Sequence, residues 1–164
     1  MRELTPEPLT AEAFALFGQV IEASDAAVQI QINQGHAIRY DQLAETDIAD
    51  GGGKAAISLF RSKPLAALEL KVFERHPLGS QAFVPLSGKP YLVAVAPPGE
   101  LDPAAIRVFS AQPHQGVQYA KGVWHHFLLV LEGENDFLVV DRSGPGDNCD
   151  EIELAPADRI RVIL

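Results

Sequence analysis

ERHPLGSQAFVPLSG, Glu74 to Gly88, sets three charged or polar side chains, Glu74, Arg75 and His76, ahead of an apolar run. It is either an ordinary strand entrance or one wall of a site, and the spacing bears on which. Successive side chains of a strand point to opposite faces, so Glu74 and His76 share one face and Arg75 takes the other. Gln81 follows across the turn-forming Pro77-Leu78-Gly79, and Gly88 closes the next strand. Barrels that hold a ligand between strands draw on such alternating inward positions.

The surroundings of this stretch read as strand after short strand. AAISLFRS, LKVFERH, QAFVPLSG, YLVAVAPPG, IRVFSA, GVQYAKG, WHHFLLVLEG and DFLVVDRSG are separated by Pro, Gly and Asp. Short strands with turn signals at this spacing predict an all-β sandwich or barrel. The 12 prolines and 13 glycines fit many turns and few helices. LTAEAFALFGQ is the exception, a short N-terminal helix with Thr10 as N-cap, Ala13, Phe14 and Phe17 on one face, and Gly18 as its stop. VQIQINQG alternates as a half-buried strand ending at Gly35, and DIADGGGK reads as a flexible, exposed loop tip. The tail APADRIRVIL is a short helix or a closing strand. Without repeats or low-complexity tracts, residues 1–164 read as a single domain.

With 47% apolar residues, a chain of 164 can build one sizeable core but hardly two. A formal charge of −9 argues against nucleic-acid or anionic-membrane partners, both of which need a basic face. The single cysteine, Cys149, excludes an internal disulfide and suits a reducing compartment. No apolar run approaches the roughly 20 residues of a membrane span, so a cytoplasmic protein is expected.

Glu74-x-His76-(x4)-Gln81-(x6)-Gly88 has the spacing of the first cupin motif, His-x-His-(x4)-Glu-(x6)-Gly. Glu74 replaces its first His and Gln81 its Glu. The second cupin motif, Pro-x-Gly-x-x-His, is matched by Gly122 and His125, with Ala120 at the proline position. ERHPLGSQAFVPLSG, then GVWHH, then DRSGPGDNCD, with INQGHAIRY earlier, resemble in this order the ureidoglycolate lyase family. The resemblance covers Leu9 to Asp150; Phe127 stands where that family's pattern has a proline after the second His. It implies a mainly β, cupin-like double-stranded β-helix (jelly-roll) barrel, usually a homodimer. The implied activity is cleavage of (S)-ureidoglycolate to glyoxylate and urea in allantoin breakdown. A divalent ion such as nickel in support of activity is implied too.

Such a cleavage needs a base for the hydroxyl proton, an acid for the departing nitrogen and donors for the carboxylate. Imidazoles serve either proton role near neutrality. Glu74 or His76 is the candidate base and His125 the candidate acid. His126, one residue on, turns to the opposite face of a regular strand, but remains a candidate for substrate contact. Arginine suits a carboxylate through its forked donors. Arg39 and Arg142 rank ahead of Arg75, which strand alternation turns outward. Asp141 and Arg142 fall at a strand end, at the expected barrel mouth. Trp124 reads as a packed aromatic, and His36 and His114 as solvated loop residues. Glu74, His76, Gln81 and His125 together could hold a divalent transition metal. The same side chains could equally work without one, Gln81 then donating N–H to substrate. The rivals are a cupin isomerase or dioxygenase acting on another small hydroxy acid, and a non-enzymatic small-acid-binding cupin.

Overall fold

A computed structural model describes all 164 residues. The chain begins with β1 (Arg2–Leu4), β2 (Glu7–Pro8), α1 (Ala11–Phe14) and β3 (Gly18–Ile21). A hairpin follows, β4 (Val28–Ile32) and β5 (Ala37–Asp41), and then β6 (Lys54–Ser62), β7 (Glu69–Leu70), β8 (Val72–Arg75) and β9 (Gln81–Pro85). Next come β10 (Tyr91–Ala96), β11 (Arg107–Ala111), β12 (Gly116–Tyr119), β13 (Trp124–His125) and β14 (Leu129–Val130). The chain ends with β15 (Asn135–Ser143), β16 (Asp150–Glu153) and β17 (Ile160–Val162).

Two sheets form the body of the fold. One runs β3-β12-β9-β15-β6; the other runs β16-β8-β13-β10-β11-β2, with β14 also on β10. Between them lies the larger core, where Phe14, Phe17, Tyr91, Val93, Phe109, Val117, Phe137 and Val139 are buried. A second core, with Leu70, Phe73, Leu92, Trp124 and Ile160, packs the other face of the larger sheet under the three-stranded sheet β1-β17-β7. The fold is mainly β, a cupin-like jelly roll whose barrel is not closed.

Strand parity in β10 shows why both faces are apolar. Tyr91, Val93 and Val95 enter the larger core while Leu92, Ala94 and Ala96 enter the second. A strand buried on both sides reads as a continuous apolar run rather than an alternation.

Several local expectations are revised. The helix spans only four residues, although the Thr10 side chain caps it by accepting from Ala13 N–H at 3.1 Å. Gly18 lies instead at the start of β3, at φ 149°, and a Cβ there would lie 1.8 Å from the Gln118 carbonyl oxygen. The alternating β4 ends at Ile32 and is exposed along its whole length, because its hairpin pairs with no other strand. WHHFLLVLEG is two strands, broken at residues 126–128. The glycine-rich loop is fastened rather than loose: Asp47 N–H donates to Ser80 Oγ, and Asp50 O accepts twice from Arg142. The tail closes as strand β17.

Candidate active site

β8 and β13 place Glu74 and His125 directly opposite one another, and β10 adds Val95 opposite His125. Paired residues of antiparallel strands share a face, so Glu74 and His125 project with Val95 into the space between the main sheets. Arg75 and Trp124 take the opposite parity. Arg75 stacks 4.6 Å over the Trp124 ring and donates to Asp150 and to the Gly99 carbonyl. His76 lies just past the end of β8, where its own carbonyl accepts from Gly122 N–H.

Two main-chain carbonyls set the state of the histidines. His76 Nδ1 lies 2.6 Å from Asn148 O, and His125 Nδ1 lies 3.1 Å from Val123 O. A carbonyl oxygen only accepts, so each Nδ1 carries a hydrogen, and in the neutral ring each Nε2 is a bare lone pair. Both Nε2 atoms are buried without a hydrogen-bond partner. His76, His125 and Glu74 converge, one ligand atom from each of the three residues lying within 4.8 Å of the others.

Glu74 Oε1 is 3.3 Å from His125 Nε2, a long and poorly aligned contact. When His125 Nε2 carries a proton it points that proton at Glu74, and this is the chief reason the Glu74 carboxyl lies below the usual carboxylate range. A positive charge on either imidazole, when it is protonated, would act in the same direction, and burial opposes it. A carboxylate facing two bare lone pairs is stable when a proton or a cation lies between them. The set fits a divalent transition ion: two imidazoles, one carboxylate, and each imidazole oriented through its other nitrogen by a backbone carbonyl. Gln81 extends it. Its Nε2 donates to Asp141 at 3.1 Å, while its Oε1 is buried and unpartnered.

A cavity of about 50 Å³ adjoins the cluster, lined among others by Glu74, His125, His126, Phe60, Phe127 and Tyr119. His126 reaches it because the strand is broken there. Its ring packs edge-on to Phe73 at 5.8 Å, and its Nδ1–H donates to Phe127 O. Burial pushes its pKa down to about 4, so this imidazole is neutral at neutral pH. Tyr119 was not singled out in the sequence. It stacks on His125 with ring centroids 4.5 Å apart, and its buried hydroxyl has no partner. Its register partner is Gln81, so it shares the inward face, a relation that the pairing of β12 with β9 supplies and the sequence alone does not. A wider hollow of about 820 Å³ lies beside Arg75 and Trp124. It opens broadly to solvent, and Arg75 there is already engaged.

The two favoured arginines lie apart from the cluster. Arg142, of opposite parity to Asp141, is buried on the outer face of its sheet and donates to Asp50 O and Pro145 O. Gly79 makes room for it, since a Cβ there would lie 2.7 Å from Arg142 Cβ. Arg39 projects from the β4–β5 hairpin, exposed and paired with Asp41 at 2.6 Å.

The sequence profile of the family described as ureidoglycolate lyase matches residues 1–161. The chain belongs to this family. A Burkholderia mallei protein named ureidoglycolate lyase is 53% identical over 155 residues, covering 94% of this chain and 91% of the relative. A Pseudomonas syringae pv. tomato protein of the same name is 52% identical, covering 92% and 89%. A Pseudomonas putida protein, also so named, is 51% identical, covering 92% and 91%. Both blocks of the cupin spacing, Glu74 to Gly88 and Gly122 to His125, lie inside the matched residues.

Proposed function

We propose that this chain is a ureidoglycolate lyase, cleaving (S)-ureidoglycolate to glyoxylate and urea in the cytoplasmic breakdown of purines through allantoin. The observation that carries the reading is the convergence of Glu74, His76 and His125 within 4.8 Å, in a chain about half identical to proteins of that name. In this mechanism the bare Nε2 of His76, or the Glu74 carboxylate, takes the substrate's hydroxyl proton. The electron pair left on oxygen forms the glyoxylate carbonyl as the carbon–nitrogen bond breaks. His125, carrying a proton on Nε2 for this step, gives it to the departing urea nitrogen. Gln81, positioned by Asp141, and neutral His126 contact the substrate.

In place of these proton roles, the same Glu74, His76 and His125, with Gln81 Oε1, would hold a divalent ion such as nickel, which would then occupy the two Nε2 lone pairs. Bound there, it would acidify the substrate hydroxyl and attract its carboxylate. Because Arg142 is engaged by backbone carbonyls, the carboxylate clamp of this reading is Arg39. The protein would act as a homodimer in which the hairpin brings Arg39 to the partner's cavity. Support comes from surface: 8972 Å² are exposed, against about 7,900 Å² for a compact monomer of this mass. The excess is of the order that one partner buries in an ordinary interface. Exposed Val28, Ile30 and Ile38 on the hairpin, and Ile57 and Leu59 on edge strand β6, are its apolar content.

Incubation with (S)-ureidoglycolate, with and without nickel or manganese, should release equal glyoxylate and urea. No turnover in any condition would sink the proposal, and ammonia in place of urea would make the protein a hydrolase of the same substrate. Sedimentation should give a dimer, and Ile30→Lys a monomer; a wild-type monomer would remove the dimer reading and with it the Arg39 clamp supplied across the dimer.

A further inference from the structure

We propose that Tyr119 is a further catalytic residue of this site, its hydroxyl donating a hydrogen bond to the carbonyl oxygen of the departing ureido group. The inference rests on the lyase reading above and adds a role that no sequence motif marks.

The unpartnered buried polar atoms of the cluster and its surroundings are His76 Nε2, His125 Nε2, Gln81 Oε1 and Tyr119 Oη. Gln81 Oε1 and the unprotonated ring nitrogens only accept, so the tyrosine hydroxyl is the one neutral donor of the set. A buried hydroxyl without a partner is costly, and in a native fold it calls for an explanation. Tyr119 is 2% exposed and lines the cavity with Glu74 and His125, so a bound ligand is the available partner.

The ligand group follows from the reaction. The substrate hydroxyl gives up a proton, and acceptors suit that end. As the carbon–nitrogen bond breaks, negative charge moves into the ureido group and onto its carbonyl oxygen. A fixed neutral donor there stabilises the transition state more than the ground state. An ordinary phenol keeps its proton throughout the neutral range, so the hydroxyl is available as a donor. The His125 ring, stacked 4.5 Å away at 25°, is held beside that same group as its proton donor.

Tyr119→Phe tests this, because it removes one oxygen and keeps the ring against His125. The expected result is a fall in kcat of about 10²-fold, of the size that losing one such donor produces, with KM little changed. Inhibition by urea should weaken about tenfold, while inhibition by glyoxylate stays the same. The melting temperature and the NMR titration of His125 should remain those of the wild type. Undiminished kcat would overturn the proposal. So would weakened glyoxylate inhibition with urea unaffected, or a loss of activity accompanied by a lower melting temperature or an altered His125 titration. Wild-type protein inert toward ureidoglycolate would defeat the lyase reading itself; active wild type with an equally active Tyr119→Phe would defeat this inference alone.

Discussion

Glu74 and His125 face each other across the β8–β13 pair, with Oε1 and Nε2 3.3 Å apart inside the fold. Two groups that both accept hydrogen bonds when the imidazole is neutral have been brought together by sheet register. The cost of that arrangement is relieved by whatever positive charge enters between them, which makes the pair responsive to protons and to cations.

Glu74→Gln should abolish most turnover, by roughly 10²-fold or more. It should also change the acid limb of stability. The Glu74 carboxyl lies below its ordinary value in the fold, so its contribution is present above the unfolded pKa and disappears as pH falls through the folded value. Melting temperature followed from pH 7 to 3 should show wild type and variant converging at the acid end. Parallel curves would contradict the assignment.

His76→Ala and His125→Ala should each weaken binding of nickel by at least about tenfold, read by calorimetry on protein first treated with chelator. Cys149→Ser should leave it unchanged. The Cys149 sulfur approaches Glu74 Oε2 only at 3.8 Å, and its thiol pKa is pushed up, chiefly by burial, with the Glu74 charge adding to it. Equal affinity in all four proteins would place any bound ion elsewhere.

His126 should be a source of acid sensitivity distinct from Glu74. Burial lowers its pKa to about 4 in the fold, so its stability contribution is full above the unfolded value and is lost as pH falls toward 4. The difference amounts to about 3 kcal/mol. Chemical denaturation of His126→Phe between pH 7 and 4 should show a flatter profile than wild type; an identical slope would mean that the ring is solvated.

Arg142 should act on stability before substrate binding. Its guanidinium makes three hydrogen bonds to the carbonyls of Asp50 and Pro145 while 8% exposed. Arg142→Ala should cost about 2–4 kcal/mol, and lysine should rescue it poorly because it lacks the fork. Denaturation midpoints measured beside KM separate the roles: an unshifted midpoint with a raised KM would return Arg142 to the substrate.

Glu74, His76, Gln81 and the later His125 could be read from the motif spacing, although His76 stands just past the end of β8 and not at a strand position. The outward turn of Arg75 followed from strand parity. Tyr119 could not be ranked that way, since its importance comes from lying against His125, and that contact depends on how the two sheets face each other. His126 escaped the alternation because its strand stops beside it. The β4 repeat has the periodicity of a covered strand, but periodicity records which residues share a face, not whether anything packs on it. Arg142 is uncovered by charge chemistry alone; only the chain path around residues 50 and 145 shows what it holds.

The hydrogens on His76 and His125 Nδ1 are each anchored by the protein's main chain, at Asn148 and Val123. The choice of tautomer is thus written into the route of the backbone and not into a side chain facing either ring. Families of variants across this pocket can alter shape, charge and access while both rings go on presenting the same nitrogen inward. Differences among such variants then report on the pocket's contents, and the imidazoles serve as a fixed reference against which those contents can be compared.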